Sequence, residues 1–123
     1  MELKPFYHEA SIALSEDFML KMVVDIGVVD RIERLFESNM DDIILEMLSS
    51  VTVMTKVLWG VTRPNHEELT LGQVAGILRP SDPEKKALAE AVVMALGDLI
   101  RRAFLVQAVE PEPKKAPRKR KAA

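Results

Sequence analysis

Two histidines, His8 and His66, and three adjacent carboxylate pairs, Glu16-Asp17, Asp41-Asp42 and Glu67-Glu68, are the side chains of this chain best suited to acid–base or metal chemistry. Their spacing does not assemble a site. His66-Glu67-Glu68 lacks the second histidine, four residues on, that a helical zinc-protease site needs. The carboxylate pairs fall at expected helix starts or in a loop, where capping and the helix dipole account for them. There is no cysteine, which removes disulfides, zinc fingers and thiol catalysis. The five glycines, at 27, 60, 72, 76 and 97, match no phosphate-binding pattern, and no Gly-x-Ser-x-Gly elbow is present. The expectation is therefore a protein with no catalytic residue, no metal site and no cofactor, working by binding another macromolecule.

The elements around these residues read as helices. The chain has 123 residues, enough for one domain. Hydrophobic residues make up 48% and aromatics only 5%, so a core would be built from Leu, Ile, Val, Met and Ala, a mix that favours helix. Residues 1–14 read as an extended arm, with Ser11–Leu14 as a lead-in or short strand. Ser15-Glu16-Asp17 has the form of a helix start, followed by Phe18, Met19, Met22, Val23 and Ile26 and a stop at Gly27. Asp30 can cap a second helix through Ile32, Leu35 and Phe36. Ile43, Ile44, Met47, Leu48, Val51, Met54 and Leu58 then repeat at helical spacing, predicting one long helix near 40–59 closed by Gly60. Thr70-Leu71-Gly72-Gln73 is a capping box opening a short helix that Arg79-Pro80 ends. Ser81-Asp82-Pro83-Glu84 starts a last helix running to about Ala108. The expected fold is all-α, a helical domain of about five helices over 15–109.

Charge is unevenly placed. Residues 1–109 carry 11 Lys and Arg against 17 Asp and Glu, and residues 110–123 carry 6 against 2. Pro111, Pro113 and Pro117 interleave with Lys114, Lys115, Arg118, Lys119, Arg120 and Lys121, the composition of a disordered basic tail. Nucleic-acid binding through counterion release is one reading of that tail. Against it stand the acidic body, the lack of a stacking aromatic in the tail and the lack of a basic recognition helix. A solubilising tail is the simpler account. No signal peptide and no membrane-spanning run is seen, because Glu2, Lys4, Pro5, His8 and Glu9 break the N-terminus and Asp25 and Asp30 interrupt the apolar segment around Val23–Val29.

The last helix carries more apolar surface than one core face needs. Leu88, Val92, Ala95, Leu96, Leu99 and Ala103 make one stripe, and Val93, Gly97, Ile100 and Phe104 an adjacent one. A mid-helix glycine costs about 1 kcal/mol relative to alanine and is tolerable where another backbone comes close. The second stripe is either ordinary core on a central helix or a docking face for a partner or a second copy. Trp59 caps the core or anchors an interface. Val93, Gly97, Ile100, Phe104 and Trp59 are the candidate partner-binding residues.

The order of features resembles the tail assembly chaperones of long-tailed bacteriophages and related prophage proteins. It rests on an N-terminal arm leading into a helix that ends at Gly27, a long helix ending in Leu58-Trp59-Gly60, the Thr62-Arg63-Pro64 loop, the Leu69-to-Leu78 segment with its Leu-Thr-x-x-x-Val pattern, and the final long helix with its charged tail, over about residues 15–108. The resemblance implies a non-enzymatic protein of the bacterial host cytoplasm. It would coat the apolar, helical tape-measure protein, self-associate, and in a frameshifted long form recruit the tail tube protein. A small helical regulator that binds nucleic acid through its tail is the alternative.

Overall fold

The computed structural model describes residues 3–105, and its first elements are strands. Tyr7–Ala13 (β1) and Met19–Asp25 (β2) form an antiparallel hairpin, with Ala10 opposite Met22 and Ile12 opposite Leu20. This overturns the all-α expectation: the fold is helical with a two-stranded sheet. The segment read as the first helix is β2, and the later half of the expected arm is β1. Leu20, Met22 and Val24 alternate onto one face and are almost wholly buried, the period of two that a half-covered sheet demands. Ser15-Glu16-Asp17 is the hairpin loop. The Ser15 hydroxyl accepts from the Asp17 N–H at 3.2 Å, and Leu14 N–H donates to the Phe18 carbonyl at 2.9 Å. Serine and aspartate serve loops and N-caps by the same side-chain-to-backbone bond, so their presence alone does not choose between the two.

Five helices follow. Ile26–Phe36 (α1) is capped by Asp25, whose carboxylate accepts from the Val28 N–H at 2.8 Å, and it ends at Glu37 in the left-handed region, φ 53°. Gly27, expected as a stop, lies in its first turn. The long helix expected near 40–59 is two, Met40–Met47 (α2) and Val51–Thr62 (α3). Asn39 and Ser50 cap them. The apolar period crosses the break because both helices face the same core. Leu71–Leu78 (α4) opens with the predicted capping box, the Thr70 hydroxyl accepting from Gln73 N–H and the Gln73 carbonyl accepting from Thr70 N–H. A single turn at Pro83–Lys85 leads into Lys86–Ile100 (α5), which widens to a π-type turn over Arg101–Leu105. The basic tail lies outside the described residues.

One core holds these elements together. Leu20, Met22 and Val24 from the sheet meet Val28 and Ile32 from α1, Ile43 and Met47 from α2, Val57, Leu58 and Val61 from α3, and Val74 from α4. Val92, Leu96, Leu99 and Ile100 close it from α5. At the crossing of α1 and α3, a Cβ on Gly60 would stand 2.6 Å from Ile32 Cγ1. Gly60 is therefore not a helix stop; it lies inside α3, where the absence of a side chain lets the two helices touch.

Candidate protein-binding surface

The five candidate residues do not share one surface. Ile100 is 2% exposed and belongs to the core. Phe104 is half-buried, its ring 5.9 Å from that of Phe6, beneath the hairpin. Val93 is half-buried and Gly97 exposed, on the outer side of α5. Trp59 is on α3; its indole N–H donates to the Leu69 carbonyl at 3.2 Å, and the Arg63 guanidinium lies over the ring at 4.9 Å. The second stripe thus divides along its length. Ile100 and Phe104 turn inward, while Val93 and Gly97 keep a face toward solvent.

That outer face of α5 forms a groove. Val93, Met94, Ala89 and Glu90 line it with Leu78 and Pro80, which follow from α4, and its volume is about 460 Å³. Met94 is 75% exposed, and a Cβ on Gly97 would meet nothing within 4 Å. No close neighbour among the described residues explains the glycine. An unbranched, polarizable Met side chain adapts to varied apolar surfaces. The outward direction of Met94 follows only from the phase of the core stripe once α5 is in place.

The other end of α5 is tied down by charge. Arg101 and Arg102 bond the two oxygens of Asp98 at 2.6 and 3.0 Å. These hydrogen bonds, Arg101 first, hold the Asp98 carboxyl below its ordinary value. Arg102 also donates to the Glu9 carbonyl at 3.1 Å, joining the last helix to β1. On the hairpin the Tyr7 hydroxyl donates to Glu9 at 2.9 Å, and Lys21 Nζ lies 3.3 Å from it. The Tyr7 bond first and then Lys21 lower the Glu9 carboxyl; the same bond raises the Tyr7 phenol.

His66, in the polar loop after α3, is 8% exposed. Its Nε2 accepts the Lys21 backbone N–H at 2.9 Å, and its ring is 5.2 Å from that of Phe18. It satisfies a donor on the open edge of β2 and so holds the loop after α3 against the sheet. An acceptor at Nε2 places the proton on Nδ1, which faces Glu68 at 3.8 Å. The contact spans 45 residues, and no local pattern announces it.

Among the described residues, no cluster of three or more His, Asp or Glu side chains could hold a metal ion. No helix among them is long and apolar enough to cross a membrane. Comparison with protein-family models, curated proteins and solved structures finds no match to this chain.

Proposed function

We propose that this protein is a non-enzymatic chaperone that shields an apolar helical client in the bacterial host cytoplasm, in the manner of the phage tail assembly chaperones it resembles. The client on that reading is a tape-measure protein, with a tail tube protein as the later partner. The observation that carries it is the α4–α5 groove, lined by Val93 and the exposed Met94, with the open backbone of Gly97 about one turn further along α5. A helix laid along Gly97 could bring its backbone close with nothing in the way, and Met94, Val93 and Leu78 would cover its apolar side.

The test is co-expression with a tape-measure protein. Met94→Glu and Gly97→Gln alter exposed positions and should leave the chaperone folded by circular dichroism. Each should send the client to the pellet, where the wild type keeps it in solution in high salt as well as low. A client equally soluble with both variants overturns the groove. Gene neighbours that include neither a tail tube gene nor a long helical reading frame overturn the phage assignment.

A further inference from the structure

A second surface carries the opposite charge from the body around it. On α1, Arg31, Arg34 and Leu35 follow one another at helical spacing on one face. The close crossing at Gly60 sets them beside Trp59 of α3 and Arg63, which caps its end. Together with Ile32 and Gly60 these residues enclose a groove of about 330 Å³ whose floor is apolar. Three of its rim side chains are arginines and no carboxylate lines it. Arg63 is held by its bonds to the Glu67 and Leu69 carbonyls and by the Trp59 ring. Arg34 pairs with Asp30 at 3.0 Å on the exposed side of α1. Arg31 is exposed and makes no side-chain hydrogen bond or ion pair among the described residues.

The same molecule carries the complement. On α2 the core side is Met40, Ile43, Ile44 and Met47. The opposite side shows Leu45 at 67% exposure, and Leu48, which caps the end of α2, is 75% exposed. Asp41, Asp42 and Glu46, all exposed, border these two leucines. It is a short apolar ridge edged with acid, left exposed among the described residues. The groove is an apolar floor edged with arginine.

We infer that the Arg31–Arg34–Trp59–Arg63 groove receives the Leu45–Leu48 ridge of a second copy of this chain. The leucines cover Leu35 and Trp59, while Asp41, Asp42 and Glu46 meet the arginine rim. Arginine suits this role because its planar fork pairs with carboxylates bidentately and is weakly hydrated. Ridge and groove are different patches, so every copy offers one of each. A contact this small belongs at the low end of specific interfaces, under about 1,200 Å² in total, and so exchanges readily. It does not depend on the client groove on α5, which is built from other elements.

Sedimentation velocity on the full chain over a concentration series tests it. Wild type should show a weight-average mass that rises with concentration and falls back as salt is added, since the rim contacts are exposed. Arg31→Glu with Arg34→Glu, and separately Asp42→Lys with Glu46→Lys, should each stay monomeric and folded by circular dichroism. An equimolar mixture should associate again, because each variant supplies the surface the other lost. A wild type that remains monomeric throughout overturns the inference. So do variants that associate like wild type, or a folded mixture that stays monomeric. If only the groove variant loses association, the groove takes an acidic segment other than α2, and the pairing is equally overturned.

Discussion

Gly60 and Gly97 both stand inside helices, and their surroundings are opposite. At Gly60 an added Cβ would run into the buried Ile32 side chain, at 2.6 Å from Cγ1 and 2.9 Å from Cδ1. At Gly97 the same atom would enter open space. The first glycine is accounted for by the fold, since α1 and α3 could not cross so closely with any side chain there. The second is not. It carries the usual propensity cost of a helical glycine, about 1 kcal/mol, with no contact among the described residues to offset it. A backbone position left open at such a cost is what a docking face on α5 would require, and that is the physical link between Gly97 and the proposed client groove.

The largest expected effect tests how sharply the inner and outer sides of α5 differ. Ile100 is three residues from Gly97 yet lies in the core with Val92, Leu96 and Leu99. Ile100→Asp places an uncompensated carboxylate there and should cost about 3–5 kcal/mol. For a domain whose whole stability is about 5–15 kcal/mol, much of the protein would unfold. Urea denaturation reads this directly. A folded variant with near wild-type midpoint would mean that α5 presents Ile100 to solvent, and the contrast between its sides would fail.

The two glycines themselves should respond with opposite signs. Gly60→Ala forces Ile32 off its position at the helix crossing, and overpacking of this kind costs about 1–3 kcal/mol. It should also distort the arginine groove, whose floor includes both residues. Gly97→Ala meets nothing and should stabilise the monomer by about 1 kcal/mol through helix propensity. Thermal unfolding of the pair gives one midpoint below wild type and one above. Two destabilised variants would show that Gly97 is crowded after all.

What was legible in the sequence was what depends on neighbours in sequence. The capping box at Thr70 and Gln73, the stop at Arg79-Pro80 and the start of the last helix near Pro83 all rest on bonds within a few residues. The failures have a common cause. Met19, Met22, Val23 and Ile26 fit a helical period, but Leu20, Met22 and Val24 fit a strand period as well, and only pairing with β1 decides between them. Gly60 looked like a terminator because its partner, Ile32, is 28 positions away. The break at Ser49-Ser50 was hidden because α2 and α3 present apolar residues to one core in nearly continuous phase. For the surfaces, periodicity located the wide apolar face of α5 without dividing it into Val93 and Gly97 outside and Ile100 inside. The Arg31–Arg34–Trp59–Arg63 groove was not foreseen, since it needs the α1–α3 crossing, although its arginines were countable.

The smallest effect concerns the charge that follows Gly97 on the outer side of α5. Asp98 bonds Arg101 and Arg102, and Arg102 reaches on to the Glu9 carbonyl of β1, so this exposed cluster ties the end of the last helix to the hairpin. Those bonds favour the ionised carboxyl and lower its folded value from the ordinary 3.8. The folded state therefore holds fewer protons at Asp98 than the unfolded chain does when the solution is acidic. Stability from this group is fully present above 3.8, and it is lost as pH falls through the depressed folded value. Asp98→Asn removes the charge at every pH. The melting temperature of wild type should exceed that of Asp98→Asn at neutral pH, and the two curves should converge as the pH is taken below 3.8. Because the cluster is exposed, the gap should also narrow in high salt. A gap that is constant from neutral to acid would mean that the Asn variant suffers from altered packing and not from a lost charge. A gap that widens toward acid would place Asp98 against a negative neighbour, contrary to the two arginines seen beside it.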